Sequence, residues 1–67
     1  MKKYRIIVVE NDEDEQFFMR EGFKTADLFK LVEMFKNDDI LLEWLEAHRN
    51  HLPDIILSDL NMPGKNV

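Results

Sequence analysis

Residues 53–64 read PDIILSDLNMPG. Within this stretch, residues 54–58 contain three consecutive apolar side chains without polar alternation, which is typical of a strand covered on both faces, as in parallel sheets. Pro53 ends the element before the run, and Pro63 and Gly64 indicate a loop over residues 59–64. The stretch therefore predicts a buried strand with Asp59 directly at its carboxyl end.

A similar apolar run lies near the amino terminus. Residues 5–9 read RIIVV and predict a first buried strand. The acidic stretch ENDEDE follows at residues 10–15, where Asn or Asp can cap a helix and the next acids suit the positive end of its dipole. We expect that helix to run to Lys24. Its core-facing stripe is predicted to contain Phe17, Phe18 and Met19.

The middle of the chain is ambiguous from its pattern. The apolar residues between positions 25 and 36 fit a helix as well as a strand, and only the topology favours a strand over residues 31–36. Residues 37–39, NDD, then form a turn and helix cap, and apolar side chains recur with helical period from Ile40 to His48. The resulting β-α-β-α-β order predicts an α/β fold with a parallel sheet and right-handed crossovers.

Composition narrows the class of protein. The 67 residues suffice for one domain at most, and the absence of cysteine favours a reducing compartment, so we expect a cytoplasmic protein. A formal charge of -5 argues against nucleic-acid binding. The apolar run at residues 6–9 is too short for a signal peptide or a membrane span, so no membrane association is expected.

Polar groups follow two of the predicted strands. Glu10, Asn11 and Asp12 come after the first strand, and Asp59 comes after the third. Ligands of open α/β sheets bind at the carboxyl ends of the strands, and a strand order of 2-1-3 makes these two groups neighbours. Clustered carboxylates favour a hard divalent cation such as Mg²⁺, which also binds phosphate oxygens.

Two stretches resemble one known family. Residues 7–18 are similar to the first strand and acidic turn of response-regulator receiver domains, and residues 53–64 are similar to their phosphoacceptor strand. The resemblance implies a flavodoxin-like fold and a non-enzymatic role in two-component phosphorelay signalling. It also implies that Asp59 accepts a phosphoryl group from a histidine kinase or a histidine phosphotransfer protein, and that a downstream partner protein reads the result. The Mg²⁺ ligands implied are Asp59, acids of the first turn and the backbone carbonyl of Asn61.

The chain departs from the family pattern at the metal site. Without gaps, the family's acidic pair falls on Glu10 and Asn11, so an amide replaces a carboxylate and Mg²⁺ affinity should fall. Asp12 is an alternative ligand if the turn shifts by one residue. A second Asp where Asn61 stands would instead be typical of aspartate-based phosphatases.

The second departure concerns length. Residues 1–67 correspond to a partial receiver domain that stops before the family's later strands and helices, including a hydroxyl residue and a lysine that contact the phosphoryl group. The third strand is then expected to be an apolar edge strand, prone to aggregation or swapping. Two alternatives remain open: a degenerate or truncated receiver that acts only as a protein-binding module, and a non-functional remnant of a split gene.

Two other features are assigned structural roles. His48 and His51 lie three positions apart, a spacing that permits metal binding, but we interpret them as a solvated helix end. Trp44 and the phenylalanines lie at core spacing and are interpreted as packing residues rather than base-stacking platforms.

Overall fold

The computed structural model describes residues 2–58, so Asp59, Asn61 and the predicted loop at 59–64 lie outside the described residues. The predicted β-α-β-α-β order is confirmed. The elements in chain order are β1 (Tyr4–Val9), α1 (Glu13–Lys24), β2 (Phe29–Phe35), α2 (Asp38–Ala47) and β3 (Ile55–Ser58).

The three strands form one parallel sheet in the order β2-β1-β3. This is the 2-1-3 order in which a flavodoxin-like sheet begins, so the predicted fold class is confirmed for these elements. The central strand β1 is buried from Ile6 to Val9, and both Ile7 and Val8 are 0% exposed. The ambiguous segment is a strand because its backbone pairs with β1 from Tyr4↔Phe29 to Val9↔Phe35.

Alternate residues of β1 face opposite sides of the sheet. Ile7 and Val9 pack with Leu41 of α2, and half-buried side chains complete that cluster. The cluster's partly buried members are Val32, Phe35, Trp44 and Leu45. Ile6 and Val8 point to the other face because successive strand residues alternate. Val8 there lines a cavity together with Met19 of α1.

A bulge in β2 adapts the strand to the α2 core. The pairing with β1 shifts between Ile6 and Ile7, which leaves one extra residue on β2. An extra residue reverses the alternation of side chains beyond it. Val32 and Phe35, an odd number of positions apart, therefore both pack on the α2 core.

Both helices begin at the caps that the sequence predicts. The side chain of Asp12 accepts hydrogen bonds from the backbone N–H groups of Asp14 and Glu15, at 2.8 and 3.3 Å. Asn37 accepts one from the N–H of Ile40 at 3.0 Å. These bonds satisfy donors that have no partner within a helix.

The prediction that Phe17 and Phe18 face the core is wrong. Their side chains are 58% and 66% exposed and contact each other edge to face, with ring centroids 5.8 Å apart. The helix is instead rotated so that Gln16 is buried at 7% exposure and Met19 is half-buried. Residues three or four apart share a helix face, so burying Gln16 and Met19 turns the two phenylalanines away from the sheet.

Arg5 forms hydrogen bonds with the segment that leads into β3. Its guanidinium donates hydrogen bonds to the carbonyl oxygens of Leu52 and His51, at 2.6 and 2.9 Å. Its backbone N–H donates to the carboxylate of Asp54 at 2.8 Å, and the Asp54 N–H donates to the Arg5 carbonyl at 2.9 Å. One residue at the start of β1 thus holds the connection between α2 and β3.

In the sheet formed by residues 2–58, β3 is an outer strand, as predicted. Its apolar side chains are only partly covered, with Ile55 37%, Ile56 45% and Leu57 46% exposed. An apolar outer strand of this kind is a ready template for pairing with another strand.

Candidate functional site

Glu10 is the residue that follows β1 at the carboxyl edge of the sheet. Its backbone N–H donates to the carbonyl of Phe35 at 2.8 Å, which extends the β1–β2 ladder by one residue. Its side chain is 4% exposed, and Oε2 accepts a hydrogen bond from the Asp12 N–H at 3.1 Å. The first predicted site carboxylate is therefore buried and held against its own turn.

Gln16 supports this turn from α1. Its Nε2 donates to the Glu10 carbonyl oxygen at 2.5 Å, and its backbone N–H donates to the Asp12 carbonyl at 2.9 Å. Sequence reasoning missed Gln16, because a polar residue in an acidic helix start is ordinarily assigned to solvent. The available signal was its helical spacing to Met19, three positions later.

Asp12 and Asn11 occupy different positions in the turn. The Oδ1 atom of Asp12 caps α1, so one of its two carboxylate oxygens is already committed to backbone donors. Asn11 is exposed, and no hydrogen-bond partner for its amide is found among residues 2–58. Of the three predicted ligands in this turn, Glu10 is the buried one, and Asn11 has the least restrained side chain.

The carboxyl ends of β1 and β3 meet at a cavity of about 290 Å³. Its lining residues are Val8, Val9, Glu10, Met19, Leu57 and Ser58. Val9 pairs with Ser58, so the two strands end at the same level. The predicted convergence of the two strand ends is thus confirmed as far as Ser58, and the position of Asp59 stays a prediction.

The predicted Mg²⁺ site stays a prediction as well. Within residues 2–58, no three side chains of His, Cys, Asp or Glu come together in a way that could hold a metal ion. Two predicted ligands, Asp59 and Asn61, lie outside that range. The donors on the β1 turn are carboxylate and amide oxygens, which fit the preference of Mg²⁺ for hard oxygen ligands.

The two histidines lie at the end of α2, as expected. His48 is exposed, and its ring stacks on the Trp44 indole with centroids 4.0 Å apart and an interplanar angle of 12°. Its Nδ1 hydrogen-bonds the Trp44 carbonyl at 2.8 Å, and its backbone N–H donates to Leu45 at 3.2 Å. Trp44 in turn contacts Phe35 at 6.2 Å between ring centroids. His48 therefore caps a helix and covers a core residue.

Comparison with protein-family models, curated proteins and solved structures finds no match to this chain. Among the helices of residues 2–58, none has the length and apolar character needed to cross a bilayer.

Proposed function

We propose that the chain is a receiver-type module of two-component signalling, located in the cytoplasm, that accepts a phosphoryl group on Asp59. The observation that carries this proposal is the pairing of Val9 with Ser58 beside a cavity lined by Glu10. Val9 precedes Glu10 in the sequence and Ser58 precedes Asp59. Ligands of open α/β sheets bind at that edge, so a carboxylate there is placed to react with a bound phosphoryl group.

The proposed reaction is phosphoryl transfer from a phosphohistidine. A carboxylate oxygen of Asp59 forms a bond to phosphorus while the bond between phosphorus and the histidine nitrogen breaks, and the products are an acyl phosphate and free histidine. Such transfer needs alignment and charge stabilisation rather than further covalent chemistry. A buried Glu10 backbone, held by Phe35 and Gln16, supports that alignment by keeping the edge of the site rigid.

Glu10, Asn11, Asp59 and the Asn61 carbonyl are the proposed Mg²⁺ ligands. When bound, the ion would neutralise charge on the phosphoryl oxygens. Asp12 is the less suitable ligand because its Oδ1 already caps α1.

The proposal is tested by incubating the chain with Mg²⁺ and acetyl phosphate and measuring its intact mass. We expect a phosphoryl adduct on the parent chain and none on Asp59→Asn, which has nearly the same shape but lacks the nucleophilic carboxylate. Peptide mapping should assign the adduct to Asp59. An adduct of equal yield on the Asp59→Asn variant would show that another residue is modified and would overturn the proposal.

A second candidate is a degenerate receiver that acts only as a protein-binding module. The observation that favours it is the neutral, exposed Asn11 amide where the resembling family has a carboxylate. The change Asn11→Asp distinguishes the two candidates. It adds a negative ligand and should raise Mg²⁺ affinity by about tenfold, roughly 1.4 kcal/mol, as measured by isothermal titration calorimetry.

The matched control for this experiment is Asn50→Asp, the same substitution at an exposed position after α2 that is not among the predicted ligands. Measurable Mg²⁺ binding by the parent chain supports the phosphorylated receiver. Binding only by Asn11→Asp, together with no adduct on the parent, supports the degenerate module.

A further inference from the structure

A second cavity lies at the opposite end of the sheet from Glu10. Its volume is about 340 Å³, and it lies between the last turns of α1 and the first residues of β2. Its lining residues are Lys3, Arg20, Phe23, Lys24, Phe29, Lys30 and Leu31. Lys3 precedes β1 and Phe29 pairs with Tyr4, so the cavity is at the amino ends of the strands.

Positive charge is concentrated around this cavity. The chain carries nine Lys and Arg residues and fourteen Asp and Glu residues, yet four of the nine basic residues line this one cavity. Among the described residues that line it, none is acidic. A local basic surface on an acidic chain attracts anionic partners. A second copy of this chain, which is acidic overall, is repelled less by this surface than by the rest of the molecule.

The basic side chains differ in how far they are already neutralised. Lys24 forms an ion pair with Glu21 at 2.7 Å, and Lys3 Nζ donates to the Ala26 carbonyl at 3.5 Å. Arg20 is exposed and has no hydrogen-bond or ion-pair partner among residues 2–58. Arg20 and Lys24 are four positions apart on α1 and therefore neighbours on one face of the helix. Arg20 is the cation best able to receive a carboxylate, which its planar guanidinium can bind through two hydrogen bonds.

The floor of the cavity is apolar. It consists of half-buried Phe23, Phe29 and Leu31, and the Phe29 ring contacts Tyr4 with centroids 6.1 Å apart. The basic residues around it are exposed, so a ligand would remain in contact with solvent at the rim. This arrangement suits one apolar side chain on the floor with flanking carboxylates on the rim, rather than a fully enclosed small molecule.

We propose that this cavity binds an acidic segment of a partner protein, with an aromatic or aliphatic side chain of that segment placed on the Phe23, Phe29 and Leu31 floor. The cavity is separate from the predicted phosphoacceptor site and lies at the other edge of the sheet. The proposal therefore stands or fails independently of phosphorylation on Asp59.

The test uses the full chain and a fluorescein-labelled peptide of six Asp and Glu residues with one central Phe. Fluorescence anisotropy measures the dissociation constant, and NMR of the isotope-labelled chain identifies the amides that shift. We expect the largest shifts around Phe29 and Leu31. Replacing the peptide's Phe by Ser, or raising the salt concentration, should weaken binding.

The decisive variant is Arg20→Glu, with Arg49→Glu as its control. Both arginines are exposed and the change in net charge is the same, but Arg49 lies beyond α2 and outside the cavity. Arg20→Glu should weaken binding by about fivefold or more, and Arg49→Glu by less than about twofold. Arg20→Gln, which removes the charge without reversing it, should give an intermediate loss with an unchanged circular dichroism spectrum.

Three outcomes would overturn the proposal. Equal losses for Arg20→Glu and Arg49→Glu would indicate a general effect of net charge. Inorganic phosphate competing as well as unlabelled peptide, mole for mole, would indicate a bare anion site. Binding to phosphatidylserine vesicles without binding to the peptide would assign the surface to a membrane instead.

Discussion

Gln16 and Glu10 form the buried polar contact at the turn between β1 and α1. Gln16 is 7% exposed and Glu10 is 4% exposed, yet among the described residues no buried side-chain nitrogen or oxygen lacks a hydrogen-bond partner. A buried polar group is tolerated only when it is paired. The Gln16 amide therefore determines both the rotation of α1 and the position of the Glu10 backbone.

Removing this amide should destabilise the chain. We expect Gln16→Ala to lower the free energy of unfolding by about 1–3 kcal/mol, because the Glu10 carbonyl loses its donor in a buried place. Gln16→Glu should cost more, since a carboxylate would then face a carbonyl oxygen. Urea denaturation followed by circular dichroism measures both changes.

The control is Arg20→Ala, at an exposed position of the same helix. Replacing Arg20 by alanine raises the helix propensity about as much as replacing Gln16 does, and it should change the free energy of unfolding by less than about 0.5 kcal/mol. A loss for Gln16→Ala no larger than that of the control would mean that the Gln16 contact contributes nothing to stability.

Each helix and strand depends on a few polar contacts at its ends. α1 begins at the Asp12 cap with three acids in its first turn and has Lys24 in its last turn, which matches the direction of the helix dipole. β3 is joined to the rest through its pairing with β1 and through Arg5. The ends of elements are thus where small changes should have local effects.

Asp12→Ala should destabilise α1. The change removes the acceptor for the Asp14 and Glu15 N–H groups and should cost about 1 kcal/mol in urea denaturation. Asp12→Asn keeps an oxygen acceptor at the same position and should lose less than half as much. If the two variants are equally unstable, the charge of Asp12 matters more than its role as a cap.

Arg5→Ala should loosen β3 without unfolding the chain. The variant loses two hydrogen bonds to the carbonyls of Leu52 and His51, so local opening of β3 should become easier by about 1.4 kcal/mol. Hydrogen exchange at the amides of residues 55–58 should then be about tenfold faster, as measured by NMR, while exchange in α2 is unchanged.

Arg49→Ala is the matched control for that measurement, because the ion-pair partner of Arg49 within residues 2–58 is the exposed Glu46, three positions earlier. Faster exchange across all elements in Arg5→Ala would indicate global destabilisation and contradict the local role given to Arg5.

The stability of the whole protein depends on a small hydrophobic core. Five hydrophobic residues among those described are buried, four of them in β1, and the fifth is Leu41 of α2. A chain of this length has a stability of roughly 3–10 kcal/mol. The loss of one core side chain is therefore a large fraction of the total.

Leu41→Ala is expected to remove a large part of this stability. The change should cost about 2–5 kcal/mol, because Leu41 packs directly on Ile7 and Val9. The matched control is Leu42→Ala, the same substitution at the next residue, which is 61% exposed. It should lower the free energy of unfolding by less than about 0.5 kcal/mol. Thermal unfolding followed by circular dichroism compares the two. Equal melting temperatures would contradict a core centred on Leu41.

Local patterns were sufficient to predict β1, β3, the two helices and the helix caps, whereas β2 was predicted from the topology. Apolar runs such as residues 5–9 indicate a strand that is buried on both faces. Asp12 and Asn37 each precede an amphipathic stretch, and their short polar side chains are of the kind that caps a helix. The grouping of Glu10 with the end of the third strand also followed from topology. Parallel strands carry their carboxyl ends to one edge of the sheet.

Long-range contacts settled what those patterns left open. Residues 29–35 form a strand because their backbone pairs with one edge of β1. The residues of the segment itself contain no information about that pairing. Phe17 and Phe18 are exposed because the Gln16 amide finds the Glu10 carbonyl across the turn and thereby rotates α1. The basic cavity combines residues from three separate parts of the chain. In each case the deciding free energy comes from groups distant in sequence, so it exists only once the chain has folded.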